Sequence, residues 1–277
     1  MKAIKFTLIT LVVLAAGLAI GYKLFAPGQD ASVTILWSPS NEANPESIDH
    51  SKWQEVLDNY LVTDDESGVN LFDYQGLIDD EDESLRSYID AMSQLDPRSF
   101  NKKEQFAYWV NLYNALTVLT VVENYPINSI KEVGEATFPP GPWNDTVISV
   151  AGHALTLNHL EHSILRPIWK DYRIHFAVNC ASIGCPNLQE AAFDSSNTEV
   201  LLEKAATEFI NHPRGLSTTE SGLLLSSIFS WYSEDFGATD AEVLATVSKH
   251  LHPDVDISFE AEDISLTYNY DWTLNSL

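Results

Sequence analysis

Lys102-Lys-Glu-Gln-Phe-Ala-Tyr-Trp-Val-Asn-Leu-Tyr-Asn-Ala-Leu-Thr-Val-Leu-Thr-Val-Val-Glu123 is the strongest helical pattern in the chain, and it is apolar over most of its circumference. Phe106, Val110, Tyr113, Thr117 and Thr120 make one stripe; Trp109, Leu112, Leu116 and Leu119 run beside it. A helix with so wide an apolar face must be covered on most sides, so the stretch predicts a central core helix. Asn101 followed by Glu104 has capping-box spacing at its start. Asn111 and Asn114 lie inside this apolar surface, and buried amides need hydrogen-bond partners. They are expected to brace neighbouring backbone, with contact to a substrate as the alternative.

Shorter elements surround that helix. The periodicity predicts helices over 52–61, 84–92, 159–168, 198–212 and 241–252. Hairpins are expected over 146–157, around Gly152, and over 216–225, around Glu220-Ser221-Gly222; a strand-like segment runs from Ile264 to Tyr270. Residues 71–78 read as irregular, and Phe138-Pro-Pro-Gly-Pro142 as a rigid loop. Asn158 followed by Glu161 has capping-box spacing, which gives Glu161 a purely structural reading. There are no internal repeats and no composition break after residue 50. The expected fold is therefore a single α+β domain over 51–277, helix-rich, with a small antiparallel sheet.

The N-terminus reads differently. Lys2 and Lys5 precede Phe6 to Tyr22, a run of seventeen residues without formal charge, and Lys23 closes it. Its length lies between a signal-peptide core and a membrane span, so residues 1–25 are expected to be a signal peptide or an uncleaved anchor. Positive charge before the run would keep that end inside and send the body outside, giving a periplasmic or extracellular protein. Membrane contact is expected only through this segment, and only if it is uncleaved. Residues 26–50 carry Pro, Ser, Asn and Asp with little periodicity and read as a linker.

Composition excludes one class of partner. The chain has 277 residues, with 40 Asp and Glu against 15 Lys and Arg, a formal charge of −25. Nucleic acid is not expected, because phosphate binding needs clustered positive charge. The acidic runs 64–66 and 79–83 lack the glycine turn and ligand spacing of a calcium loop and read as solvated loops. Forty acids also make any pairing of carboxylates for glycoside hydrolysis uninformative.

Arg173-Ile-His-Phe-Ala-Val-Asn-Cys-Ala-Ser-Ile-Gly-Cys-Pro-Asn187 holds both cysteines of the chain. Ile174, Phe176 and Val178 alternate with His175, Ala177 and Asn179, which predicts a half-buried strand with a polar face. Pro186 would suit the first position of a helix over 187–193, with Cys185 as its N-cap. A helix N-terminus favours the thiolate, the reactive form of cysteine. Against this nucleophile stand a Cys180–Cys185 disulfide or two inert buried thiols, and an exported chain favours the disulfide.

Five ordered motifs carry a resemblance: Phe106–Ala115, Leu155–His162 with Leu165-Arg166, Arg173–Cys180 with Cys185-Pro186, Phe229–Phe236, and Tyr270–Asn275. Together they resemble the family catalogued as domain of unknown function 547, from about residue 50 to the end. Its members occur as exported bacterial proteins and as parts of plant proteins, which agrees with an exported chain. One position departs: where the family leads one to expect serine before Cys185, the chain has Gly184.

The resemblance places Glu161, His162, His175 and Cys185 among motif positions. Thiol catalysis needs a thiolate, a base within hydrogen-bond reach and a group that orients the base. Cys185 is then the expected nucleophile and His162 the base, with Glu161 or Asn179 as orienter or oxyanion partner. Glu161 and His162 are neighbours on one helix, which makes Glu161 a poor orienter. His175 is the alternative base; as strand residues, it and Asn179 would lie about 13 Å apart on one face. Histidine before cysteine is not the papain order, but triads are defined by geometry, and a permuted papain-like or transglutaminase-like fold would tolerate it. No metal is expected, since neither Cys-x-x-Cys nor His-x-x-x-His occurs, and no Gly-rich phosphate loop follows a strand, so no cofactor is expected either. The sequence thus points to a thiol-dependent hydrolase or acyl transferase acting on a peptide or amide outside the cytoplasm. The alternative is a non-catalytic extracytoplasmic binding or scaffold domain with a Cys180–Cys185 disulfide.

Overall fold

Pro, Ser and Asn content led residues 26–50 to read as a linker, yet part of this segment belongs to the core. In the computed structural model, which describes residues 29–134, 140–220, 222–237, 239–253 and 265–277, Ala31–Trp37 is a helix, α1, capped by the Asp30 carboxylate. Its Trp37 is 1 % exposed and meets Trp109 edge to face, with ring centroids 5.1 Å apart. Seven residues are too few to display a helical period, and one tryptophan supplies most of the burial. The expected signal or anchor segment, 1–25, lies outside the described residues, as do residues 138–139 of the expected rigid loop. Among the described residues no helix is long and apolar enough to cross a membrane.

Ser51–Tyr60 forms α2, and the segment expected to be irregular divides in two. Leu71–Phe72 is a short strand, β2, antiparallel to β1 at Leu61–Val62. Tyr74–Asp79 is a helix, α3, started by Asp73, whose side chain accepts from Gly76 N. Helix α4 covers Ser84–Gln94. The central helix, α5, runs over Lys102–Val122 and is buried along nearly its whole length. Asn101 caps it by accepting from Lys103 N and Glu104 N, whereas Glu104 reaches away to Ile48 N, so half of the expected capping box forms. Helices α3 and α4 pack against α5, as does the π-helical segment His159–Leu165.

The hairpin of β3, Thr146–Val150, and β4, His153–Thr156, leads into that π-helical segment, which passes into a helical turn, α6, at Arg166–Trp169. Asn158 makes no capping hydrogen bond, so the second expected box is absent. A further short helix, α7, covers Ile174–Ala177. This corrects the expected strand. Ile174, His175, Phe176 and Ala177 are all buried, and alternation signals a strand only where one face meets water.

No helix follows Pro186 either. Residues 187–193 are held by side chains instead of by their own backbone: Asn187 accepts from Asn70 N, Asn70 donates to Leu188 O, and Asn111 grips both N and O of Phe193. Cys185 consequently does not cap a helix. Helix α8, Thr198–Ile210, precedes a three-stranded sheet of β5, Leu216–Thr219, β6, Gly222–Ser226, and β7, Ser265–Asn269. β5 and β6 are antiparallel, but β7 runs parallel to β6, so the sheets are not all antiparallel. Short helices α9, Ile228–Trp231, and α10, Ser233–Phe236, and then α11, Asp240–Ser248, complete the order. Two apolar clusters result, one around α5 and one around Phe176, Phe209, Phe229 and Phe236. The architecture is helix-rich α+β with several small sheets.

Candidate functional site

Burial forces the polar groups between the two clusters to find one another. His175, on α7, is 3 % exposed; its Nε2 lies 2.7 Å from Asp235 Oδ2 on α10. Arg166, on α6, donates from Nε to the same oxygen at 2.6 Å and from Nη2 to Glu234 at 3.1 Å. Its Nη1 lies 3.0 Å from His162 Nδ1. A guanidinium can only donate, so His162 Nδ1 accepts and its proton sits on Nε2. Burial favours the same neutral form, lowering the His162 pKa to about 4.

Glu161, beside His162, accepts from Tyr113 Oη at 3.2 Å through Oε2. Its Oε1 is 3.6 Å from His175 Nδ1 and 3.9 Å from His162 Nδ1, both beyond good hydrogen-bond length. Burial pushes this carboxyl up, but the adjoining histidines and Arg166 outweigh it and hold it down at about 2. Asp235 is likewise opposed by burial and brought to about 2 by its bonds to His175 and Arg166. Both acids are therefore ionised at neutral pH.

These side chains open onto a cavity of about 320 Å³ whose wall includes Glu161, His162, His175, Cys180 and Cys185. Aromatic rings make up much of the remainder: Tyr113, Trp143, Trp231, Tyr232, Tyr270 and Trp272. Tyr232 stacks on His175 with centroids 4.2 Å apart and planes 11° from parallel. The two cysteines are joined by a disulfide. Cys185 Sγ receives the Cys180 N–H at 2.8 Å, and the Tyr270 hydroxyl, 3.1 Å from Cys185 Sγ and 2.9 Å from Cys180 Sγ, donates across the pair of sulfurs.

Gly184 fits tightly here. A Cβ at this position would lie 2.7 Å from Asp271 N and 2.8 Å from its carbonyl oxygen. This close backbone approach explains why a side chain such as serine would not fit this chain without a shift.

Of the residues singled out from the sequence, Glu161, His162, His175 and Cys185 meet at the cavity. Asn179 does not line it; its amide accepts from Ala181 N and donates to Pro186 O, bracing the disulfide loop from behind. Asn114 likewise fastens Ala177 O and Asn179 N, so the core amides do brace backbone. The expectation that Glu161 orients His162 gives way: Arg166 contacts the His162 ring, and Asp235 orients His175. Asp235, Arg166 and Tyr270 were not recognised as site residues, although each lies in a motif that carries the resemblance. No group of three or more potential ligands fit to hold a metal ion occurs among the described residues.

The family comparison covers the inner half of this arrangement. Residues 97–210 match the family model described as "Protein of unknown function, DUF547". No curated protein and no solved structure matches the chain. The matched stretch supplies the core helix, Glu161, His162, Arg166, His175 and the disulfide, while Trp231, Tyr232, Tyr270 and Trp272 close the cavity from beyond it and Asp235 holds His175 from behind. Residues 97–210 of this chain are a DUF547 domain.

Proposed function

We propose that the cavity is the active site of a thiol-dependent hydrolase or acyl transferase that acts on a peptide or amide substrate outside the cytoplasm. The observation that carries this reading is the pair of donors on Cys185 Sγ, the Cys180 N–H and the Tyr270 hydroxyl, in a cavity shared with His175. Two donors on one sulfur favour its thiolate once the disulfide is reduced. Asp235 fixes His175 through Nε2 and leaves Nδ1 as the proton-exchanging atom, the role a thiol enzyme asks of its base. The reduced Cys185 sulfur adds to the amide carbonyl, His175 carries its proton to the departing amine, and water or a second amine takes the acyl group from the thioester. His162, with its proton on Nε2, is a donor rather than a base. Histidine preceding cysteine agrees with a permuted papain-like or transglutaminase-like layout, an analogy of order and not of measured likeness.

The disulfide itself favours a second reading, in which the cysteines stay joined and the domain binds a ligand without chemistry. An oxidising exterior favours this second reading, whereas the thiol reading requires a dithiol reductant to open the disulfide, leaving two thiols as the dithiol is oxidised. A cysteine-directed probe applied after mild reduction by a dithiol separates them. Under the thiol reading Cys185 alkylates with a pKa below the ordinary value of about 8.5, and His175→Gln raises it. A reduced, folded chain whose Cys185 labels no faster than a free thiol removes the catalytic reading. A reporter fused after residue 40 that works only in the cytoplasm removes export.

A further inference from the structure

We propose that the cavity recognises a substituted ammonium group, so that its ligand or substrate carries an alkylammonium or quaternary ammonium beside the reacting or anchoring part. This takes the cavity to be the ligand site, as above, but requires no chemistry at Cys185.

The wall is built as a cluster of ring faces and edges. Tyr270 lies 4.7 Å from Trp272 and 4.8 Å from Trp231, and Trp143 lies 5.5 Å from Trp272, centroid to centroid. Faces of indole and phenol rings carry negative potential and attract cations that shed water easily, which substituted ammonium groups do. The chain already uses this wall for its own cations. Lys131 Nζ stands 5.0 Å over Trp272, and the Arg166 guanidinium 5.0 Å over Tyr232.

Charge supports the same class. Besides histidine, Glu161 and Lys131 are the only charged side chains among the described residues that line the cavity. Arg166 behind them is answered by Asp235 and Glu234, and His162 is neutral, so neither leaves free positive charge for an anion. Glu161 keeps Oε1 beyond 3.5 Å from both histidines while its other oxygen is occupied by Tyr113. A buried carboxylate whose second oxygen has only these longer contacts, to two histidines, offers the counter-charge for an ammonium. Lys131 is half-buried on a short 3-10 turn, Ile130–Glu132, and its flexible stem allows it to leave when a ligand cation arrives.

Choline and its neutral carbon isostere, 3,3-dimethylbutan-1-ol, test this directly on the oxidised full chain. Tryptophan fluorescence is read during titration at physiological ionic strength, where long-range attraction to the acidic surface is screened. Choline should bind at least about tenfold more tightly than the isostere. Lys131→Gln should tighten choline severalfold by removing the resident competitor, while Lys52→Gln, the same charge change on α2, should not. Glu161→Gln should abolish most of the preference. An isostere that binds as well as choline, or no saturable choline binding, overturns the proposal, as does equal tightening by the two lysine variants. Oxidised protein is used throughout, so a failed thiol probe with choline selectivity intact would remove the chemistry and leave the recognition site.

Discussion

Removing each cysteine in turn should cost different amounts, because the two sulfurs are not equivalent. The disulfide joins residues five apart, and loop-closure entropy for so short a loop stabilises by about 2 kcal/mol. Cys180→Ala loses that constraint but keeps the Cys185 sulfur as acceptor for the Cys180 N–H and the Tyr270 hydroxyl. At about 2–4 °C per kcal/mol for a chain of this size, Tm should fall by about 4–8 °C. Cys185→Ala loses the loop and the acceptor together. The Tyr270 hydroxyl still has Cys180 Sγ, 2.9 Å away, as an acceptor, but the Cys180 N–H is stranded, adding about 1–3 kcal/mol. The combined cost of about 3–5 kcal/mol lowers Tm by about 6–20 °C. Calorimetry with and without a dithiol reductant reads all of this, and reduced wild type should melt close to Cys180→Ala. If Cys185→Ala melts with or above Cys180→Ala, the donors on Cys185 Sγ contribute nothing, and the reasoning for a stabilised thiolate fails with them.

Asn114→Ala should destabilise by about 2–5 kcal/mol, because it strands two buried backbone groups, Ala177 O and Asn179 N; an urea midpoint unchanged from wild type would contradict that. Stability should also fall with acid in two stages. Burial lowers His50 and His162 to about 4 from 6.5, so the unfolded chain takes up protons first, and on the order of 3 kcal/mol per histidine is lost between pH 6.5 and 4. Glu161 and Asp235, both near 2 in the fold, add to the loss as pH falls from their ordinary range towards 2. Urea midpoints across pH 7 to 4 check this, and His50→Asn, which can still bond Tyr88, should flatten the upper stage.

Much of the fold was legible wherever a long pattern met a single environment. Helix α5 announces itself because its twenty-one residues are apolar around most of the helix, and the β3–β4 and β5–β6 hairpins because Gly152 and Gly222 mark their turns. Short segments misled. Ile174–Ala177 alternates like a strand only because buried residues of both kinds happen to alternate, and its backbone is free to form a helical turn once every side chain is covered. The segment after Pro186 has an acceptable helix start, but side chains from residues far away in sequence, Asn70, Asn111 and Gln54, take its backbone groups. No local propensity encodes such partners.

The site divides along the same line. Glu161, His162, His175 and Cys185, which the sequence singles out, all line one cavity. Their roles are not legible in the same way, since a role depends on which group stands at the other ring nitrogen. His162 could be taken as a base until Arg166, one helical turn on, was found against its Nδ1. His175 could be taken as a strand residue facing Asn179 until Asp235, sixty residues later, was found at its Nε2. Exchanging those partners would exchange the roles, with His162 free to accept a proton and His175 locked as a donor. The proposed role of His175 as base therefore rests on the contact between α7 and α10, which places His175 and Asp235 at the seam of the two apolar clusters. A site at such a seam is sensitive to packing changes on either side, because residues 229–236, outside the matched domain, bring Trp231 and Tyr232 to the cavity wall and Asp235 to His175.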